Sequence, residues 1–345
     1  MRTWKHIIAV VVTALLALSG CQRIPLYEAS TRVYLHIEHK LGIDHDIELS
    51  TPTTFDKEYL KKIEGQMPEY VEVLFYDPET HLLIKSQILK ADGGLIDLPV
   101  GDYDMVIYNF GTESTQTANT HHRFEAEAYT TDITKQLASK LQWLKSPDDT
   151  TKSETRGYED DPIIHEPDHL YVANEERIHV PSFQVQDEDI HIYATSSTIT
   201  EVYSLEVIGV KGTENIEKVE AFITGQVKSN YFGMPQASTD PATLYTDMRI
   251  DPANSRLYSV FGTFGKQPGE DNKIYLDITV RDSGGGQYRY VFDVTDQFDD
   301  LENTNNRLII DAGSIIDIPE PEFGGGGLAP EVDEWIEENI DIPLT

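Results

Sequence analysis

Residues 91–111 read ADGGLIDLPVGDYDMVIYNFG, and this stretch decides the fold that the sequence predicts. Gly93-Gly94 predicts a turn, Leu95 to Leu98 has the length of a short strand, and Pro99 to Asp102 predicts a second turn. From Tyr103 the chain alternates inward and outward positions, as a longer strand does. A short strand, a Pro-x-Gly turn and a strand that starts with Tyr are typical of β-sandwich domains of transthyretin-like shape.

The flanking segments favour the same architecture. Residues 32–38 alternate apolar and polar side chains, which predicts a half-buried first strand. Tyr70 to Tyr76 reads as a central strand, and His81 to Leu89 returns beside it as a hairpin after the turn residues 77–80. Asp132 to Leu144 carries leucines at helical spacing behind a capping Asp132, so we expect a short helical insertion.

A second set of strands occupies the later part of the chain. The clearest hairpin pairs residues 274–280 with residues 288–294 across the turn 282–286. Further strands are predicted at residues 203–208, 219–223, 258–263 and 308–310. We therefore expect an all-β protein with two antiparallel, Greek-key β-sandwich domains, at residues 32–175 and 176–318.

The N-terminus has the pattern of an export signal. Arg2 and Lys5 precede an apolar run, residues 7–18, that is too short to span a bilayer. Leu18-Ser19-Gly20-Cys21 then resembles a bacterial lipoprotein processing site, with cleavage between Gly20 and Cys21 and acyl chains on Cys21. We expect residues 1–20 to be removed and residues 21–31 to tether the fold to a membrane. A buried cysteine that happens to follow glycine is the alternative.

The charge limits the classes of partner. The chain carries 27 Lys and Arg against 60 Asp and Glu, a formal net charge of -33, and removal of Arg2 and Lys5 makes it -35. Such a surface argues against nucleic acid and against electrostatic docking on anionic lipid, since both need clustered cations. Membrane attachment must then come from acyl chains on Cys21, the only cysteine.

Residues 319–345 differ in composition from the rest of the chain. Gly324 to Gly327 forms a flexible link, and an acidic segment with strand-like alternation follows it. Its apolar residues are the candidates for a strand donated to another subunit: Trp335, Ile336, Ile340, Ile342 and Leu344. Pairing with an edge of the chain's own second domain is the alternative.

The sequence shows no motif for catalysis or for a cofactor. It lacks a Gly-rich phosphate loop, a Gly-x-Ser-x-Gly elbow and a His-Glu-x-x-His pair. His121-His122 and the run from His165 to His169 bring imidazoles and carboxylates close, but their spacing does not define a zinc site. The acid pairs at 160–161 and 299–300 suit calcium or a glycosidase, yet composition produces such pairs by itself. We predict no enzyme, no metal and no cofactor.

Exposed aromatic side chains would suggest a glycan-binding surface. The candidates are Tyr231, Phe232, Trp143 and Trp335. Burial in a core or at a sheet edge is the commoner state for such residues, and we favour it here.

Several segments together resemble a known family. These are LPVGDYDMVIYNFGTEST, VEVLFYDPET, EPDHLYVA and VDEWIEENIDIPL, behind the processing site at Cys21. They are similar to a family of Bacteroidetes lipoproteins of unknown function that is related to fimbrial anchor and fimbrillin-like proteins. The resemblance implies two transthyretin-like domains on an outer-membrane lipid anchor, at the cell surface or on the periplasmic face, with subunits joined by strand addition.

The functional expectation is therefore a lipid-anchored structural or adhesion protein of the cell envelope. It would serve as a fimbrial anchor or accessory subunit, with a pilus subunit or another envelope protein as partner. An anchor is favoured over a polymerising pilin because no Arg-terminated first strand is ready for proteolytic removal: Arg32 begins the first strand and Arg23 is too close to the lipid. The alternatives are a glycan-binding surface lipoprotein and a hydrolase that uses paired acids.

Overall fold

A computed structural model describes residues 30–40, 57, 68–110, 112–137, 161–181, 190–269, 272–299, 306–313 and 315–321. The first ten strands are β1 (Ser30–His39), β2 (Tyr70–Tyr76), β3 (Leu83–Lys90), β4 (Gly93–Pro99), β5 (Gly101–Asn109), β6 (Thr115–Ala118), β7 (Glu127–Thr130), β8 (Ile163–His165), β9 (Tyr171–Val180) and β10 (Ile190–Thr198). The other ten are β11 (Glu201–Ile208), β12 (Ile216–Val227), β13 (Ser229–Tyr231), β14 (Gln236–Ala237), β15 (Pro241–Asp247), β16 (Arg249–Asp251), β17 (Arg256–Thr263), β18 (Tyr275–Asp282), β19 (Gln287–Asp293) and β20 (Arg307–Asp311). A short helix, α1, follows β19 at Thr295–Asp299. The expectation of an all-β protein is confirmed.

Seven strands close into a ring in the order β1, β10, β9, β5, β2, β3, β4, with β4 returning to β1. The predicted first strand is confirmed, since Val33, Leu35 and Ile37 are buried inside the ring while the residues between them face outward. The predicted hairpin of β2 and β3 is also present, with Val73 opposite Gln87. A strand inside such a ring is stabilised by burial of its inward face and by hydrogen bonds on both edges.

Gly93 lets β4 approach β1 closely. Its φ is 102°, a conformation that side chains with a Cβ rarely adopt, and a Cβ there would lie 2.0 Å from the Leu35 carbonyl oxygen. The turn predicted at Gly93-Gly94 lies two residues earlier, at residues 91–92, and the two glycines instead begin β4, where the ring closes with Leu35 opposite Gly94 in the register.

Two further sheets pack face to face as a sandwich. One has the order β16, β17, β11, β20 and the other has the order β19, β18, β12, β15, β8. Apolar side chains from both sheets meet between them, among them Leu205, Phe261, Ile223 and Ile278. The predicted hairpin of β18 and β19 is confirmed, with Ile278 opposite Tyr290.

A small sheet in the order β14, β13, β7, β6 covers one outer side of the ring. The outward side chains Tyr76 and Tyr108, on β2 and β5, lie in one apolar cluster with Ala128 and Phe232 of the small sheet. Because both faces of β2 and β5 are buried, these strands are apolar on both sides. The ring therefore has a covered side at β2, β5 and β9.

Three expectations from the sequence are corrected. A closed ring of seven strands between β1 and β10, covered by the small sheet, stands where an open antiparallel sandwich of residues 32–175 was expected. Three pairs, β1 with β10, β11 with β20 and β15 with β8, are parallel. Residues 134–137 form a turn where the helical insertion was expected, and residues 138–144 lie outside the described residues. Local patterns show which residues form strands but not which distant strands pair.

The expected domain boundary at residue 175 lies inside β9. Strand β9 pairs with β5, and β10 pairs with β1, so both continue the ring. Strand β8, which precedes the boundary, pairs with β15 of the sandwich. The division into two transthyretin-like domains stays a prediction.

Glu166 lies in the connection from β8 to β9, where the sandwich meets the ring. Burial raises the pKa of its carboxyl to about 7, although hydrogen bonds from the Thr246 hydroxyl and the Gly262 backbone oppose that shift. The backbone is fixed there as well, because the Ser114 hydroxyl donates to the Glu166 carbonyl at 2.8 Å. This carboxyl is therefore neutral below about pH 7 in the folded chain.

Gly93→Ala should destabilise the fold more than Gly285→Ala. Both glycines have left-handed backbones, with φ of 102° and 89°, but nothing lies within 4 Å of a Cβ at Gly285. We expect a loss of about 1 kcal/mol for Gly285→Ala and at least ~2 kcal/mol more for Gly93→Ala in the free energy of unfolding, measured in urea. Equal losses would contradict the close approach of β4 to β1.

Glu166→Gln should stabilise the protein at pH 8 and leave it unchanged near pH 4. The pKa of this carboxyl is raised on folding from 4.5 to about 7, so the wild type loses stability as pH rises between these values. We expect Gln to gain on the order of 2 kcal/mol at pH 8, measured by urea unfolding at both pH values. Glu38→Gln, at an exposed position of β1, is the control. A gain for Glu166→Gln of the same size at pH 4 and pH 8 would refute the raised pKa.

Candidate strand-addition site

The residues that the sequence proposes for attachment and joining lie outside the described residues. These are Gly20, Cys21, Trp335, Ile336, Ile340, Ile342 and Leu344. Lipidation and the donor tail therefore stay predictions. What the structure describes is the body that these two ends would connect.

Strand β1 occupies the position at which a strand would be added to this body. It pairs antiparallel with β4 from Ser30 to His36 and parallel with β10 from Val33 to His39. Near its start, the Thr31 hydroxyl donates to the Pro181 carbonyl at 2.9 Å. The chain thus fills this groove of the ring with its own first strand.

His39 fastens the other end of β1. Its Nε2 lies 2.8 Å from the Ala91 carbonyl oxygen, and its Nδ1 lies 2.5 Å from the Ser196 hydroxyl. A carbonyl oxygen only accepts, so the neutral ring carries its proton on Nε2 and accepts from Ser196 through Nδ1. One imidazole therefore ties β1 to β10 and to the β3–β4 turn.

The junction between β3 and β4 is weakly paired. Lys90 with Gly93 is the one residue pair in their register. Beyond it, Lys85 Nζ donates to the Asp97 carbonyl at 2.5 Å, and Gln87 Nε2 donates to the Leu95 carbonyl at 3.2 Å. Side chains here replace main-chain donors, which is a common way to protect a strand edge.

The junction between β9 and β10 is also short. Their register covers two pairs, Ser197 with Val172 and Thr198 with Tyr171. Strand β9 departs from regular geometry at Arg177, where φ is 54° and the amide donates to Asp104 at 3.0 Å. These two junctions are therefore where the ring has the fewest main-chain pairs.

A buried ion pair fixes the covered side of the ring. Arg123, from the turn before β7, contacts Asp104 of β5 at 2.7 Å and Glu176 of β9 at 3.0 Å. Its Nε also donates to the Gly233 carbonyl at 3.1 Å. Removing one partner of a buried ion pair lowers the free energy of unfolding by several kcal/mol. This network therefore stabilises the contact between the ring and the small sheet.

Buried tyrosines complete this side. Burial raises the pKa of the Tyr76 and Tyr108 hydroxyls well above the ordinary range, and the nearby Glu72 adds to the shift. Tyr108 donates to Glu72 in a short hydrogen bond, and Tyr76 donates to the Thr120 carbonyl at 2.9 Å. These hydroxyls stay protonated and act as hydrogen-bond donors.

The candidate metal ligands that the structure describes do not form a metal site. Asp168 accepts the Ser114 and Thr115 amides at 2.6 and 2.9 Å, so it holds a loop. Among the described residues, no three His, Cys, Asp or Glu side chains are placed to share a metal. Asp160 and Asp300 lie outside those residues.

The aromatic candidates for a glycan surface also separate. Phe232 is fully buried beneath the small sheet, and Tyr231 is half-buried on β13. The expectation that such residues belong to a core or an edge is confirmed for Phe232. Trp143 and Trp335 lie outside the described residues.

Sequence reasoning missed β10 as a partner of β1. The run Ile190-His-Ile-Tyr-Ala194 alternates, with Ile190, Ile192 and Ala194 facing the ring interior and His191 and Tyr193 facing solvent. That alternation was a readable strand signal. Its parallel pairing with β1, about 155 residues earlier in the chain, was not readable.

The described residues contain no helix that combines the length and the apolar character needed to cross a bilayer.

Comparisons with known proteins agree with this fold. Along its full length the chain is 21% identical, over 379 aligned residues, to the whole of the "Putative fimbrium anchoring subunit Fim4B" of Bacteroides ovatus. A crystal structure of a "putative adhesin" from Bacteroides ovatus superposes with a TM-score of 0.57 at 19% identity, covering 88% of this chain and 98% of that one. The fimbrial anchor protein Mfa2 of Porphyromonas gingivalis matches at a TM-score of 0.48 and 12% identity, over 81% of this chain and 90% of its own.

The resemblance to fimbrial anchor and adhesin proteins of the Bacteroidetes is thereby confirmed. The family described as "Domain of unknown function (DUF5119)" matches residues 54–247, more than half of the chain. This match begins before β2 and runs to the end of β15, so it includes ring strands, the small sheet and part of the sandwich. The chain therefore belongs to the DUF5119 family.

Proposed function

We propose that this protein is a lipid-anchored subunit at the base of a fimbrium, an anchor or accessory subunit that joins its neighbour by β-strand addition. The relative Fim4B is named for fimbrium anchoring, and it aligns over its whole length. The proposal gives the chain a structural role in adhesion and no catalytic one. It places the protein on the outer membrane, at the cell surface or on the periplasmic face.

The position of β1 carries the proposal. A subunit that accepts a neighbour's strand needs an open groove, and here β1 fills the ring between β4 and β10. Only eight residues, 22–29, separate β1 from Cys21. If Cys21 is acylated, β1 cannot be cut away without releasing the protein from the membrane, which suits an anchor and not a repeating pilin.

The C-terminal tail is the proposed donor strand, and the exit point of the chain favours a neighbour as its acceptor. The sandwich adjoins the ring where β11 begins, three residues after β10. At the opposite end of β11, Lys211 exchanges backbone hydrogen bonds with Ile316 and Ile318 at 3.1 and 3.0 Å. The tail therefore starts from the end of the sandwich far from the ring.

The length of the sandwich supports this direction. Strand β12 spans 12 residues, or about 40 Å, between the end near the ring and the end where the tail leaves. Residues 322–334 would have to be almost fully extended to bring Trp335 back along it. A neighbouring subunit placed beyond the far end is the easier acceptor.

Removal of residues 328–345 should leave a folded protein that no longer holds the fimbrium. The described ring and sandwich contain none of these residues, so the unfolding midpoint should change little. We expect fimbriae to be shed from cells into the medium, measured by comparing the pilus subunit in cell and medium fractions. Normal retention of fimbriae by the truncated protein would show that the donor-strand proposal is wrong.

The truncation removes acidic residues as well as apolar ones, so point variants are needed to show which of the two matters. Ile340→Ser, Ile342→Ser and Leu344→Ser together should reproduce the truncation, because they remove the apolar face that an acceptor groove would bury. The matched control replaces Asn339 and Asp341 on the other face with Ser and should retain fimbriae. Equal loss of fimbriae with both sets of substitutions would contradict burial of only the apolar face of the tail.

Cys21→Ser should prevent lipid attachment at this residue. An acylated protein partitions into the detergent phase of a cloud-point separation, and the Ser variant should move to the aqueous phase or keep its uncleaved leader. Gln22→Ser is the control and should behave as the wild type. Detergent-phase partitioning and normal processing of Cys21→Ser would refute lipidation at this residue.

A further inference from the structure

The side of the ring opposite the small sheet exposes large apolar and aromatic side chains. It is formed by the outer faces of β3, β4, β1 and β10, which we name the open side. Its exposed fractions are 48% for Ile84, 56% for Ile88, 41% for Leu95, 37% for Tyr34 and 72% for Tyr193. These five residues are the open-side patch. On the covered side, the equivalent outward residues of β2 and β5 are buried.

The strand register joins Leu95, Tyr34 and Tyr193 of the patch in one band across β4, β1 and β10. Leu95 of β4 lies opposite Tyr34 of β1, and Tyr34 lies opposite His191 of β10. His36 of β1 lies opposite Tyr193. The band therefore crosses the three strands that form the middle and one flank of the open side.

Stacked rings make the band rigid. Centroid separations are 5.4 Å for Tyr34 and His191, 5.1 Å for His191 and His36, and 4.8 Å for His36 and Tyr193. The ring planes are within 24° of parallel, and the two imidazoles meet through His36 Nε2 and His191 Nδ1 at 2.9 Å. The four rings therefore support one another across β1 and β10.

The open side also lacks the negative charge of the rest of the protein. The outward positions of its four strands carry two Lys or Arg (Arg32, Lys90) and two Asp or Glu (Glu38, Asp97), a formal charge of zero. The whole chain carries -33. These outward positions therefore add no net repulsion of anionic headgroups.

The position of the proposed acyl chains on Cys21 indicates that a membrane is the partner of the open side. Strand β1 lies within the open side, and its first residue, Ser30, is nine residues from Cys21. Nine residues span at most about 30 Å, so an acylated Cys21 would hold this strand close to the bilayer. Tyrosine and long-stemmed lysine side chains suit the boundary between headgroups and acyl chains, where one end is apolar and the other is wet.

We propose that the open-side patch is a lipid-contacting surface that lies on the membrane interface and orients the anchored protein. The inference rests on the proposed lipidation for its geometry, but the contact itself needs no acyl chain. With the open side on the bilayer, the covered side and the small sheet face away from the membrane.

Vesicle flotation tests the contact without the acyl chains. The probe is the chain 21–345 with Cys21→Ser, mixed with vesicles of phosphatidylethanolamine and phosphatidylglycerol. We expect weak binding that falls by about tenfold when Tyr34, Ile88 and Tyr193 are all replaced by Ser, since each loses apolar area at the interface. The matched control replaces three exposed isoleucines of the sandwich region, Ile208, Ile309 and Ile315, with Ser and should bind as before. Unchanged melting of both variants verifies that they fold.

A single fluorophore locates the surface in the acylated protein. Ser86→Cys puts a label between Ile84 and Ile88 on the open side, and Ser283→Cys puts it on the exposed β18–β19 turn. An environment-sensitive dye should shift its emission to the blue on vesicles at position 86 and not at 283.

The experiments distinguish an error in this proposal from an error in the proposed lipidation of Cys21. Loss of acylation would leave the flotation result of the Cys21→Ser chain intact. The proposal is overturned if that chain does not float with vesicles, or if the patch variant floats as well as the control. It is also overturned if the patch substitutions abolish a dimer in sedimentation while vesicle binding is unaffected, because the occupant is then a second copy.

Discussion

The insertion of β1 between β4 and β10 is the interaction on which the first half of the molecule depends. It supplies hydrogen bonds to two strand edges at once and buries Val33, Leu35 and Ile37, each worth about 1.5–3 kcal/mol of transfer free energy. Without it, β4 and β10 would present free edges and the ring interior would be open to water. A strand that comes first in the chain thus completes a structure whose other strands lie up to about 160 residues later.

The two sides of the ring follow from how its strands are covered. Where the small sheet packs, β2 and β5 bury both faces, and the buried Arg123–Asp104 pair is tolerated because backbone and carboxylate partners satisfy it. Where no described element packs, β3 and β10 keep an outward face that includes Ile88 and Tyr193. The asymmetry gives a strongly acidic protein one nearly neutral face, and β1, the strand nearest the expected lipid, lies in it.

The two ends of the described chain leave the molecule at separate places. The N-terminal side leads into the ring, and the C-terminal side leaves the sandwich at the end far from it. The core that joins ring, small sheet and sandwich contains residues from Leu74 to Phe264, so force applied at one end passes through packed side chains to the other. The raised pKa of Glu166 at this junction makes the stability of the same region depend on pH.

By itself the sequence determined the all-β class, the β2–β3 and β18–β19 hairpins, and the alternation that made β1 a strand, because period-two patterning and turn residues act over a few neighbouring positions. The functional direction also came from the sequence, through residues 18–21 and the segments that resemble fimbrial anchors. The tertiary structure alone decided the closed ring, the three parallel pairs, the passage of β8 into the sandwich and the open side. Each of these depends on pairing between residues far apart in the chain. The side chains of one strand show that it is a strand, but they do not show which distant strand it pairs with.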